Sequence, residues 1–132
     1  MRERILRELA LLGEGGQRAT LLADQEPMAV IYYNVPTTGG VQKPMYLATD
    51  TIVPVPAGYP ASPIDLAGLP MGSSLLHLVK GGQNCQGVLR TEGRTWQLAS
   101  YHPHGNGGGP PWDPMEHGFH TYFDHLLAWL RV

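Results

Sequence analysis

The chain has 132 residues, 42% of them hydrophobic, with a formal net charge of -2 and a pI near 6.3. A chain of that length can bury roughly two thirds of the surface its unfolded form exposes, so it is expected to fold around a core of its own as a single domain, residues 1–132. Its weak acidity gives no electrostatic basis for binding DNA, RNA or an anionic membrane, and its one cysteine, Cys85, excludes an intramolecular disulfide.

The segment Met1-Arg2-Glu3-Arg4 is charged and lacks the apolar run of a secretory leader. No stretch reaches the ~20 apolar residues of a membrane span. The expectation is a cytoplasmic protein. Residues 2–12 read as an amphipathic helix, with Ile5, Leu6, Leu9 and Leu12 on one stripe. Glu3 with Arg7, and Arg4 with Glu8, pair opposite charges four residues apart on the exposed side. Gly13 suits the left-handed position that ends such a helix.

Residues 28–35 and 45–55 are rich in β-branched and aromatic side chains and read as two strands of a hairpin. The turn signal Pro36-Thr37-Thr38-Gly39-Gly40 lies between them. From Pro54 to Pro70 the density of Pro and Gly is incompatible with helix or central strand. A flexible linker is one reading, but Tyr59, Ile64, Leu66 and Leu69 are apolar anchors that a linker does not need. Ser74 to Val79 reads as a short strand, Gln83 to Gly87 as loop or irregular strand, and Thr95 to Ser100 as strand or short helix.

A Gly/Pro/His-rich loop follows from His102 to Pro111. It contains Gly105 to Gly109, which lack the Lys-Ser/Thr ending of a phosphate loop. The last helix is expected over 113–131, with Asp113 as N-cap, Pro114 at N1 and Glu116 at N3. Its stripe is Phe119, Tyr122, Phe123, Leu126, Leu127 and Leu130. One helix, then strands, then a helix indicates an α+β fold.

Two segments carry a resemblance. Val55-Pro56-Ala57-Gly58-Tyr59-Pro60-Ala61-Ser62-Pro63-Ile64-Asp65 resembles the Phe-Pro-x-x-Tyr-Pro-x-x-Pro-Pro segment of the ubiquitin-conjugating (UBC) superfamily. Gly93-Arg94-Thr95-Trp96-Gln97-Leu98-Ala99-Ser100-Tyr101-His102 is similar to a Gly-x-x-Trp-Gln-x-x-Ser-x-His segment of its divergent prokaryotic family E. The resemblance covers about residues 28–130. It implies a UBC-like α+β fold with an N-terminal helix, an antiparallel meander sheet and a C-terminal helix.

The resemblance also implies chemistry. Ubiquitin-conjugating enzymes hold a modifier as a thioester on a cysteine, which here corresponds to Cys85, with Asn84 beside it as a possible amide donor. They carry His-Pro-Asn ahead of that cysteine, where this chain reads His77-Leu78-Val79. In family E the recurrent polar residues match Asp65, Ser100 and His102. His102 is a candidate general base, and Ser100 with His102 a candidate nucleophile–base pair giving an oxyester. Positions two apart share a face of an extended segment. The alternative is that Ser100 satisfies backbone groups and His102 packs against Trp112.

The function so implied is that of a bacterial ubiquitin-conjugating-like transferase. It would accept a ubiquitin-like modifier from an activating enzyme and transfer it to an amine, in systems some of which serve phage defence. ATP would be consumed by the activating enzyme, so this chain needs no cofactor. The alternative is a non-catalytic scaffold that binds modifier or activating enzyme. The six histidines leave a third reading, a metal-dependent hydrolase. Its ligands would be His102 with His104 and His117 with His120, the latter pair one helical turn apart.

Overall fold

The computed structural model describes residues 1–37, 47–104 and 110–132. Most of the expected turn after Pro36, the start of the second expected strand at Met45 and Tyr46, and the Gly105–Gly109 loop lie outside the described residues. The architecture is α+β: helix α1 (Arg2–Glu14), strands β1 (Ala19–Leu22), β2 (Ala29–Pro36), β3 (Ala48–Pro54), β4 (Ala67–Pro70), β5 (Cys85–Thr91) and β6 (Arg94–Ala99), then helix α2 (Phe119–Trp129). The strands form one antiparallel sheet in the order β1-β2-β3-β4-β6-β5.

Both helices pack on one face of the sheet. Ile5, Leu9 and Leu12 of α1 and Phe119, Tyr122 and Leu126 of α2 meet Val30, Tyr32, Val53, Leu69 and Ala99. The other face carries a smaller cluster of Ala29, Ile31, Ile52, Trp96 and Leu98. The alternation along β6, with Trp96 and Leu98 on one face and Ala99 on the other, is the period-2 signature of a strand buried on both sides.

Several expectations need correction. Helix α1 runs past Gly13, which is helical. Its end is a Schellman turn in which Gly16 takes φ +91, Gln17 N–H donates to Leu12 O at 3.0 Å and Gly16 N–H donates to Gly13 O at 3.0 Å. Arg4 and Glu8 do pair, at 2.7 Å, but Glu8 is only 4% exposed and faces inward, while Leu6 of the expected apolar stripe is exposed.

The Pro/Gly-rich run is no linker. Tyr59, Ile64 and Leu69 are buried in the core, and Ala67–Pro70 form a central strand between β3 and β6. Pro70 is tolerated because it ends that strand. Gly68 permits it, since a Cβ there would lie 2.8 Å from Ile52 Cγ2 and 2.9 Å from Leu98 Cδ2.

Ser74–His77 is a turn of 3-10 helix, not a strand. Ser73 Oγ accepts the Leu75 amide at 3.2 Å, and the i to i+3 bond from Leu78 to Leu75 closes the turn. A short apolar run gives no period by which to tell the two apart.

The capping residues expected to open the last helix instead form an isolated turn. Asp113 O accepts from both Glu116 N and His117 N, and Asp113 Oδ1 from Met115 N. Helix α2 proper begins after Gly118.

Candidate functional site

Asp65, Ser100 and His102 converge where β4 begins and β6 ends. Ala67 pairs with Ala99, so the residues just before β4 lie beside those just after β6. Leu66 N–H donates to Tyr101 O at 2.9 Å, fastening the two segments together. Leu66 takes φ +66, a left-handed conformation unfavourable for a leucine. Its carbonyl is held by the Tyr122 hydroxyl at 2.7 Å, a bond from α2 that helps fix the bend preceding β4.

Ser100 is fixed from the other side. Its amide donates to Gly81 O at 3.1 Å. Gly81 takes φ +73, and a Cβ there would lie 1.9 Å from Ser100 O, so only glycine fits.

The side chains form a hydrogen-bonded chain. His102 Nδ1 is 2.7 Å from Asp65 Oδ1, and His102 Nε2 is 3.0 Å from Ser100 Oγ. An ionised carboxylate only accepts hydrogen bonds, so Nδ1 carries the imidazole proton and Nε2 presents a lone pair to the serine hydroxyl. In this assigned tautomer Asp65 is placed to orient the imidazole and His102 Nε2 to accept a proton from the Ser100 hydroxyl, an arrangement that can support nucleophilic chemistry. Asp65 and His102 side chains are 45% and 37% exposed, and both line an open cleft of about 490 Å³ walled by Pro56, Ala57, Pro63 and Ile64. Asp65 and His102 are therefore reachable from solvent.

Of the sequence candidates, the structure brings together Ser100, His102 and Asp65. It is His104, not His102, that packs against Trp112, with ring centroids 5.0 Å apart. Cys85 is exposed at the start of β5. It pairs with Ala99, the residue before Ser100, and its Sγ lies 3.4 Å from Gly87 O. Among the described residues no hydrogen bond joins Cys85 to His102.

The histidine pairings expected for a metal do not form. His102 turns to Asp65 while His104 turns to Trp112, His117 and His125. His117 lies before α2 and His120 within it. Among the described residues no group of three or more His, Cys, Asp or Glu is placed to hold a metal ion. No described helix is long and apolar enough to cross a membrane.

The residues that hold the triad, Leu66, Gly81 and Tyr122, are not legible as such in the sequence. Only the Gly81-Gly82 pair hints at a close backbone approach. No protein-family model, curated protein or solved structure matches this chain.

Proposed function

We propose that this chain is an acyl-transfer protein of the ubiquitin-conjugating type, with Ser100 as its acyl acceptor. The observation that carries the reading is the continuous Asp65–His102–Ser100 hydrogen-bonded chain at the edge of an open cleft. The resemblance of the Tyr59-Pro60 and Trp96–His102 segments to prokaryotic family E supports a ubiquitin-like modifier as the acyl donor.

The steps balance without a cofactor. The modifier arrives as a thioester on its activating enzyme. His102 Nε2 takes the Ser100 proton as Oγ attacks the thioester carbonyl, and the released thiolate takes a proton in turn. The modifier is then an oxyester on Ser100. An acceptor amine attacks that carbonyl and loses a proton to His102, and the Ser100 alkoxide is reprotonated as the amide forms. Asp65 keeps the imidazole in the reactive tautomer and stabilises the imidazolium between the steps.

The test mixes the protein with a ubiquitin-like modifier, its activating enzyme and ATP, then separates products on gels. An adduct that survives thiol reductant, is cleaved by hydroxylamine and persists in Cys85→Ala supports Ser100. An adduct cleaved by thiol reductant and lost in Cys85→Ala places the acyl group on Cys85 instead. Tight association with modifier or activating enzyme without any adduct favours the scaffold reading.

A further inference from the structure

His104 is 8% exposed, and its Nε2 has no hydrogen-bond partner among the described residues. Its Nδ1 lies 3.1 Å from Pro110 O, a pure acceptor, so the neutral ring keeps its proton on Nδ1 and a bare lone pair on Nε2. Aromatic rings enclose it. Centroids of Trp112, His117, His125 and Tyr122 lie 5.0, 4.9, 4.8 and 6.3 Å away. His117 Nδ1 accepts the Asp113 amide at 2.9 Å, so neutral His117 carries its proton on Nε2. A proton added to His104 Nε2 thus finds no hydrogen-bond partner among the described residues and sits beside two more imidazoles.

The charged groups around this enclosure do not supply one. Asp65 attracts a cation at His104 through space, but Asp65 Oδ1 is bonded to His102. Asp124 attracts a cation at His125 from within α2. Tyr101 hydrogen-bonds through its hydroxyl to the backbone carbonyl of His125, not to its ring. The turn before α2 presents His117, and the segment between contributes Trp112.

His104 is separated from His102 by Pro103 alone, so displacing His104 bears directly on the backbone that carries His102. We propose that the His104–His117–His125 cluster is an acid-sensitive latch. At neutral pH it seats the His102–His104 segment against α2, and protonation below neutrality unseats that segment and withdraws His102 from Asp65 and Ser100.

Burial holds His104 and His125 below the ordinary imidazole range, which keeps both neutral in the seated form. The unseated form, with its rings in water, takes up protons first, and falling pH pulls the equilibrium towards it. Protonation of His102 by itself leaves its contacts intact. Nδ1–H still reaches Asp65, and Nε2–H then donates to Ser100 Oγ. Loss of both contacts therefore requires the His102 ring to be displaced, not merely protonated. The latch concerns this geometry and stands apart from the identity of the acyl donor.

Imidazole NMR titration of the full chain between about pH 7.5 and about pH 5 tests the latch. The expected result is one shared transition of His104 and His125. The Trp112–His104 ring contact and both His102 hydrogen bonds are lost within it. His104→Leu keeps the His102 hydrogen bonds throughout. His125→Gln, which retains the carbonyl that holds Tyr101, moves the transition to lower pH and guards against a His104→Leu variant that fails to fold. Independent titration of His104 and His125 would overturn the proposal. So would retention of the His102 contacts in the wild type at the acid end, or their loss at the same pH in either variant.

Discussion

The carboxylate of Glu8, on α1, accepts the amide proton of Phe119, the first residue of α2, at 3.0 Å. The same oxygen accepts the Tyr59 hydroxyl at 2.6 Å, and the other accepts Arg4 Nε at 2.7 Å. One side chain therefore joins both helices to the Pro-rich crossing, and its charge sits at the positive end of α2. Burial, then the carboxylate beside it, pushes the Tyr59 phenol well above its ordinary range, so it stays a donor. Glu8→Ala leaves Phe119 N–H, Tyr59 O–H and Arg4 without that acceptor and should cost about 3–5 kcal/mol in urea unfolding. Glu8→Gln keeps an acceptor and should cost less.

Gly118 has extended backbone that any residue can adopt, yet a Cβ there would lie 2.5 Å from the Glu8 carboxylate. Gly118→Ala should therefore destabilise the protein by pushing that carboxylate off Phe119. The two sites share one contact, so their effects should not add. In a Glu8→Ala background the cost of Gly118→Ala should fall by at least about 1 kcal/mol, measured as a double-mutant cycle in urea.

Tyr122 reaches the triad indirectly, through Leu66 O. Tyr122→Phe removes one buried donor and should cost about 1–2 kcal/mol of stability. It should also slow reaction at Ser100 by freeing the bend that precedes β4 and places Asp65. A stability loss with an unchanged Ser100 rate would show that Leu66 holds its left-handed turn without this bond.

His104 and His125 both have imidazoles that burial holds below the ordinary value of 6.5. The unfolded chain then binds protons that the folded chain resists, so stability rises with pH across this range. Urea midpoints should be flat above about pH 7 and fall as pH drops through 6.5 towards the folded values. His104→Leu should flatten that fall.

Much of this architecture is legible in the residues, and what is not has physical causes. Helix α1 is periodic, and the strands over Ala29–Pro36 and Ala48–Pro54 are β-branched and apolar. Strand β1 is four residues with no buried alternation, and β4 hides inside a Pro/Gly-rich run, so neither produces a local signal. The Asp113-Pro114-Glu116 signature describes a real turn, while the start of α2 is held locally by Thr121 Oγ1 on the Gly118 amide and remotely by Glu8, 111 residues away, on the Phe119 amide, and no local pattern encodes the second. At the site, Ser100 and His102 are suggested by their spacing of two. Asp65 joins them only because β4 and β6 are neighbours, which pairing and not sequence proximity decides.

The central claim is that His102, oriented by Asp65, activates Ser100. A fluorophosphonate reagent tests this without any knowledge of the modifier, because it reacts far faster with an activated serine hydroxyl than with an ordinary one. Peptide mass spectrometry of the labelled protein should place a single adduct on Ser100. The labelling rate should fall by about 100-fold or more in His102→Gln and stay unchanged in Cys85→Ala. Failure of the folded wild-type protein to label at Ser100, or labelling that persists at full rate in His102→Gln, would contradict it.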